Sequence, residues 1–235
     1  MSHSQTEILA RIRRAQHSSM DAADVQLALA SLGEAPPAPQ DCVDPEENFF
    51  MRLLRSKASL EIASNRSEAV KLISEFLYRE HNTRKVVAGH EARLAAMPWR
   101  DGGVLVRFDT ANAEDSVSIS FAKLAIAESG TLVLFSGRDN PASNNYLVQD
   151  HLVIVDAADL VADYEQAWPV IRSLYGNNEI PRVINFISAP SSTADIALHS
   201  VLGAHGPQRL HVIYIGEVTN DLLVSAQEKA LTLKA

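Results

Sequence analysis

The chain of 235 residues is long enough to bury one substantial core, and its content of 46% hydrophobic and 21% charged residues excludes a disordered or fibrous protein. A formal net charge of −8 would repel a phosphate backbone, so we expect no binding to nucleic acid. The sequence has neither an apolar run long enough to span a membrane nor the pattern of a signal peptide, so we expect a cytoplasmic protein.

Residues 1–40 are predicted to form a helical arm and a proline-rich linker. Ser4 and Glu7 have the spacing of a capping box, and a second helix is expected to begin at Asp21 and to end before Gly33. This arm has little core of its own. We expect it to pack on the main domain, on a second copy of the chain or on a partner.

The single cysteine, Cys42, lies in the linker. One cysteine cannot form an intrachain disulfide, and it cannot supply the ligand set of an iron–sulfur cluster or a structural zinc. The histidines at 151, 199, 205 and 211 lack the i, i+4 spacing of a helical zinc motif. We therefore expect no metal and no cofactor in this chain.

A β-α pattern begins at Pro45 and predicts one domain over residues 45–220, followed by a C-terminal tail over 221–235. Helices are expected after Pro45 and after the capping box of Asn65 and Glu68. Further helical patterns cover residues 158–174 and 193–202. Apolar, β-branched segments predict buried strands at residues 58–63, 85–88, 104–108, 131–135, 152–155, 183–187 and 210–215. This alternation is typical of an α/β fold with a mainly parallel sheet covered on both faces, in which ligands gather at the carboxyl ends of the strands.

The first candidate site is the segment 125–131, which joins an apolar pattern of helical type to a strand. Glu128 has the chemistry of a general base, a nucleophile or a hydrogen-bond acceptor, and Ser129 and Thr131 supply hydroxyl groups beside the flexible Gly130. A structural role is the alternative, in which Glu128 ends a helix and Gly130 caps it. Taken alone, the residues favour the structural role.

The second candidate site follows the strand at 183–187. Ser191, Ser192 and Thr193, with exposed N–H groups at the start of a helix, would form a cradle for phosphate or carboxylate, and Asp195 would stand beside them. Ordinary capping of a helix explains the same residues equally well. Both interpretations stay open.

The third candidate site is the connection at residues 202–207, where a helix is expected to turn into the last core strand. Gly203 and Gly206 permit the tight connection, and His205 would project from it as an acid, a base or a ligand. The structural alternative is a histidine that only hydrogen-bonds a nearby carbonyl. With Glu128 and Asp195, His205 completes the set of candidate catalytic residues.

Several of these segments together resemble one family. Residues 125–134 are similar to its Ala-Glu-Thr-Gly-Thr strand entry, and residues 151–156 to its His-Ile-Val-Val-Val segment. Residues 191–196, 201–207 and 210–212 resemble the closing motifs of the LUD-domain family, in its lactate-utilization branch. Motifs that recur in the same order are more specific than any single one.

The resemblance implies a Rossmann-like α/β fold similar to that of the sugar-phosphate isomerase and coenzyme A transferase superfamily. It also implies a role in oxidising L-lactate to pyruvate, within a bacterial system whose other two members are cysteine-rich iron–sulfur proteins. The clusters would then reside in those partners. Two departures bear on ligand specificity: Ser192 stands where the family usually has lysine, and Gln149 and Asp150 replace prolines.

Three functions remain open at this point. The leading interpretation is a non-redox subunit or accessory protein of lactate oxidation, with a small anionic ligand and iron–sulfur partners, and with a homodimer as a further arrangement. The alternative is a stand-alone enzyme that acts on a small phosphorylated or acyl metabolite, with Glu128 as base or nucleophile. The third is a scaffold whose arm makes the contacts. The sequence does not decide whether the chain is an enzyme.

Overall fold

The computed structural model describes residues 3–15, 21–33, 44–175, 181–194 and 200–232. The chain consists of two compact units, Met1–Ala38 and Pro39–Ala235. The first unit contains helices α1 (His3–Ala15) and α2 (Ala22–Ser31), so the two predicted helices of the arm are confirmed. Helix α1 begins at His3, so Ser4 lies inside the helix and not at the helix start where it was predicted.

The second unit contains five helices and twelve strands among its described residues. The helices are α3 (Pro45–Arg55), α4 (Arg66–His81), α5 (Ala92–Ala95), α6 (Tyr164–Tyr175) and α7 (Asn220–Thr232). The strands are β1 (Ser59–Ala63), β2 (Lys85–Ala88), β3 (Leu105–Phe108), β4 (Val117–Phe121), β5 (Leu124–Ile126), β6 (Thr131–Phe135), β7 (Asp150–Asp156), β8 (Leu160–Val161), β9 (Ile184–Ile187), β10 (Ser192–Ala194), β11 (Ser200–Leu202) and β12 (Arg209–Ile215).

Six strands form a central sheet in the order β1-β12-β7-β4-β2-β3, and every neighbouring pair is parallel. Along β7, Leu152 and Ile154 join the core on the side of α4, whereas Val153 and Val155 join the core on the side of α3 and α7. A strand buried on both faces needs a continuous apolar run, which is why residues 152–155 are apolar at every position. The predicted α/β fold with a mainly parallel sheet is confirmed.

Local capping explains where the covering helices begin. The Asp44 side chain accepts hydrogen bonds from the backbone N–H groups of Glu46 and Glu47, and Pro45 occupies the first helical position of α3. Asn65 accepts from the Glu68 N–H at the start of α4. Both helix starts were predicted. The residues predicted as a C-terminal tail include helix α7, whose Ala226 and Ala230 are buried in the same core as α3.

A second sheet has the order β8-β5-β6-β9 and packs on α6. Strand β6 pairs antiparallel with both β5 and β9, so the predicted strands at 131–135 and 183–187 do not join the parallel sheet. The apolar pattern before residue 128, predicted as helical, forms β4 and β5. Short apolar runs do not distinguish a buried strand from a buried helix, and here pairing with β7 and β6 selects the strand.

The helix predicted over residues 193–202 is also wrong for its described part. Ser192–Ala194 and Ser200–Leu202 pair as an antiparallel ladder, with Thr193 opposite Val201. Both of these residues are β-branched, which favours an extended backbone over a helix. Strand β10, and not a helix, follows Ser191 in the described residues, so the helix N-terminus on which the predicted anion cradle depends is not found there.

Candidate functional site

A pocket of about 250 Å³ lies where four segments of the second unit meet. They are the end of a 3₁₀ turn with Asn145, the beginning of β7, the segment that follows β9, and the loop that precedes β12. The lining residues are Asn145, Tyr146, His151, Phe186, Ile187, Ser188, Ala189, Pro190, Ser191, His205, Gly206, Pro207 and Leu210. The pocket thus brings together Ser191, His205 and Gly206, which come from two separate candidate loops of the sequence.

Backbone hydrogen bonds hold those two loops against each other. The Ser191 N–H donates to the Pro207 carbonyl at 2.8 Å, and the Gly203 N–H donates to the Ser191 carbonyl at 2.9 Å. Gly203 has a φ of 78°, a conformation that glycine adopts without steric cost. A Cβ on Gly206 would lie 3.3 Å from the Cβ of Ser191, which is a tight contact, so the absence of a side chain at this position favours the close approach of the loops.

The floor of the pocket is a buried chain of neutral polar groups. The hydroxyl of Ser120 donates to Asn145 Oδ1 at 3.2 Å, and His151 Nε2 lies 2.9 Å from the same hydroxyl oxygen. Because the single hydroxyl hydrogen is directed to Asn145, His151 donates through Nε2–H. Burial lowers the pKa of His151 from near 6.5 to about 3, so the ring is neutral at pH 7. The Nδ2 group of Asn145 is buried without a hydrogen-bond partner.

A cluster of four hydroxyl groups adjoins the pocket through Ser188. Thr131 Oγ1 lies 2.6 Å from Ser188 Oγ, 2.7 Å from Ser129 Oγ and 3.1 Å from the Tyr164 hydroxyl. The sequence identified Ser129 and Thr131 but missed Ser188 and Tyr164. Ser188 directly follows a predicted strand, which was a usable signal, whereas Tyr164 reaches the cluster only through the packing of α6.

Glu128 is held by the backbone of α6. Its Oε1 accepts from the Tyr164 N–H at 3.2 Å, at the first turn of that helix, where a carboxylate is favoured by unpaired N–H groups. Glu128 does not line the pocket. A chemical role for this carboxylate stays a prediction, because the contact present in the structure is that of a helix cap.

Gly130 forms the turn of the β5–β6 hairpin, not the end of a helix. Its φ is 66°, and a Cβ there would lie 2.9 Å from the backbone nitrogen of Leu53 in α3. The position is therefore restricted both by its conformation and by close approach of a helix backbone.

We expect Gly130→Ala to lower the free energy of unfolding by about 2 kcal/mol, because it combines left-handed backbone strain with overpacking. Gly137→Ala is the matched control, since a Cβ on Gly137 meets nothing within 4 Å and its φ is not positive. Urea denaturation of both variants measures the difference. Equal stabilities would contradict the steric argument.

The remaining predicted site residues are not brought into the pocket by the described structure. Ser192 is exposed in β10, and Thr193 lies in the same strand. Asp195 lies outside the described residues. Its catalytic role stays a prediction.

The pocket is at the amino ends of the parallel strands, not at their carboxyl ends as expected. His151 and Leu210 are the second residues of β7 and β12. Near the carboxyl ends, charged groups pair with one another: Lys123 Nζ lies 2.5 Å from Glu91 Oε1, and Arg93 pairs with Asp159. The difference arises because β9 belongs to the second sheet, which delivers Ser188 to the opposite edge.

A larger hollow of about 1140 Å³ runs along β3. Arg107, which lines it, is paired with Asp109 and Asp115, and none of the described candidate residues from the three loops lies there. Size alone therefore does not identify the site. We take the smaller pocket as the candidate because buried polar groups converge on it.

Two kinds of feature are not found among the described residues. No group of three or more His, Cys, Asp or Glu side chains in this part of the chain is placed to hold a metal ion. Within the same ranges, no helix is both long and apolar enough to cross a membrane. The described residues form an α/β protein with a parallel six-stranded sheet, an added mixed sheet and a pocket with buried polar groups between their strands.

Comparison with known proteins identifies a family that the chain is similar to. Residues 106–215 match the LUD domain, which confirms the resemblance found in the sequence. The matched segment contains every residue that lines the pocket. A crystal structure of a DUF162 family protein from Deinococcus radiodurans superposes on this chain with a TM-score of 0.57 and 21% sequence identity. The superposed region covers 76% of this chain and 100% of the Deinococcus chain. This likeness supports the fold alone.

Curated relatives share the name lactate utilization protein C. The protein from Shouchella clausii (strain KSM-K16) is 40% identical over 101 residues, which cover 43% of this chain and 44% of the relative. The protein from Bacillus subtilis (strain 168) is 37% identical over 103 residues, which cover 43% of each chain. The aligned segments thus span less than half the length of these relatives.

Proposed function

We propose that this chain acts in lactate utilization as a non-redox binding subunit of a system that oxidises L-lactate to pyruvate. The names of its relatives support the process. The observation that carries the proposal is the position of the pocket, because its lining lies wholly within the LUD segment of residues 106–215. Binding in that segment would be the contribution shared with the relatives.

The division of labour follows from the chemistry of the reaction. Oxidation of lactate to pyruvate removes two electrons and two protons, so an acceptor for the electrons is required. The 235 residues contain one cysteine, which is too few to ligate an iron–sulfur cluster. We assign electron transfer to iron–sulfur partner proteins, and we assign ligand binding and assembly to this chain.

Growth on L-lactate as sole carbon source tests the role. A strain that lacks this chain is expected not to grow on L-lactate, to grow normally on glucose, and to recover growth on L-lactate with the wild-type gene. Normal growth of the deletion strain on L-lactate would contradict the proposed function.

A Glu128→Gln variant in the same strain separates binding from a Glu128-centred enzyme. Glutamine keeps the oxygen that accepts from the Tyr164 N–H, so the variant is expected to fold and to restore growth. Loss of growth with a folded, normally abundant variant would instead favour a stand-alone enzyme in which the Glu128 carboxylate is base or nucleophile.

A further inference from the structure

We propose that the pocket binds a short carboxylic acid, with the carboxylate near Asn145 and Ser188 and the apolar end against the wall formed by Ile187, Pro190 and Leu210. This inference deepens the proposed function and rests on it for the identity of the site. Asn145 and Ser188 are the two residues that would select this class of ligand.

The pocket lining contains a hydrogen-bond donor without a partner. Asn145 is 1% exposed and lines the pocket, and its Oδ1 is already engaged by Ser120. Its Nδ2 group has no partner, which is unusual because buried polar groups are nearly always hydrogen-bonded. The Nδ2 atom is itself buried, so a small displacement of the pocket floor on binding would bring a ligand oxygen to that group.

The charge of the pocket lining favours a carboxylate over a phosphate. Hydroxyl groups of Ser188 and Ser191 and the ring of His205 add polar contacts, but none of the residues that line the pocket is lysine or arginine. Phosphate groups in proteins are typically held by these cations or by free backbone N–H groups. The Ser191 N–H is already bonded to Pro207, so the lining suits a carboxylate, which carries a single charge, better than a phosphate.

The volume and the apolar wall of the pocket limit the size and the charge of the ligand. A pocket of about 250 Å³ lies below the usual range of roughly 300–1,000 Å³ for larger ligands, so it fits a molecule of a few non-hydrogen atoms. The apolar wall excludes a ligand that is charged at both ends. A short monocarboxylate with an alkyl end satisfies both conditions.

The test is an NMR titration of the full chain with three probes: L-lactate, propionate and inorganic phosphate. L-Lactate and propionate are expected to shift the resonances of pocket residues and to saturate in the millimolar range, as expected for so few ligand atoms. Phosphate is expected to leave the pocket resonances unchanged. Saturation by phosphate alone, or by no probe, would overturn the proposal.

Variants locate the binding within the pocket. Asn145→Ala is expected to weaken L-lactate binding about 10-fold, and Ser188→Ala is expected to weaken it by a similar or smaller factor, since each removes one donor. Ser173→Ala is the control, because its hydroxyl bonds the Val170 carbonyl on α6, outside the pocket. If Asn145→Ala does not fold, Ser188→Ala carries the test, and unchanged affinity in the folded variants would overturn the assignment.

Failure of this inference is distinguishable from failure of the proposed function. If growth on L-lactate requires the chain but no carboxylate binds in the pocket, the ligand class is wrong and the biological role stands. If the acids bind as expected but growth does not require the chain, the pocket stands and the role in lactate utilization is wrong.

Discussion

Replacing Asp150 with asparagine is expected to lower the free energy of unfolding by about 3 kcal/mol, because it removes the charge of a buried ion-pair network. Asp150 is fully buried at the first position of β7. Its carboxylate accepts from His81 Nε2 at 2.7 Å and from Arg209 Nε and Nη2 at 2.9 and 2.6 Å. The Arg209 side chain remains 40% exposed and can reach water, so the loss falls at the lower end of the range for broken buried pairs.

Urea denaturation at neutral pH measures this loss. The control is Glu75→Gln, which removes the exposed pair of Lys71 and Glu75 at 3.9 Å on α4 and is expected to cost about 0.5 kcal/mol or less. A loss for Asp150→Asn no larger than that of the control would refute the stabilising role of the network. The resemblance noted in the sequence implies proline in place of Asp150, and the contacts of Asp150 would give that departure a structural purpose.

Acid is expected to destabilise the protein through His151. The unfolded chain takes up a proton on this residue below about pH 6.5, whereas burial holds the pKa of the folded state at about 3. The folded pKa is the lower one, so the contribution of His151 to stability is complete above pH 6.5 and is lost as the pH falls toward 3. By linkage, the loss reaches about 3 kcal/mol between pH 6.5 and about pH 4.

A His151→Gln variant isolates this contribution. Glutamine retains an N–H donor for Ser120 but does not titrate, so stability of the variant is expected to depend less on pH over that window. The measurement is urea denaturation of both proteins at a series of pH values. Parallel pH profiles for the wild type and the variant would show that His151 is not the group responsible.

The strands of the central sheet were predictable because their local pattern is strong. Residues 86–88, 152–155 and 212–215 are continuous apolar runs rich in β-branched residues, and all three lie in the parallel sheet. The helix predicted over residues 193–202 is wrong in its described part because strands as short as β10 and β11 lack such a run. The apolar stretch before Glu128 was misread because a short apolar run does not distinguish a strand from a helix, and because the partner of β4, strand β7, is distant in the sequence.

The candidate site was predictable only in part. Ser191, His205 and Gly206 were found because glycine, proline and hydroxyl residues mark loops, and loops carry most binding residues. Asn145 was missed because two adjacent asparagines in a polar connection carry no signal of their own. Its significance arises from burial and from the Ser120 contact, which joins residues 25 positions apart.

The sequence by itself determined the composition of the chain, the apolar runs that become parallel strands, the helix caps and the LUD motifs, because each of these is a local property of neighbouring residues. Tertiary structure alone decided that β6 and β9 pair antiparallel in a second sheet and that Ser188 and His151 line one pocket at the amino ends of β7 and β12. The physical reason is that periodicity specifies which face of an element is buried, whereas the partner that buries it is selected by the packing of the whole chain.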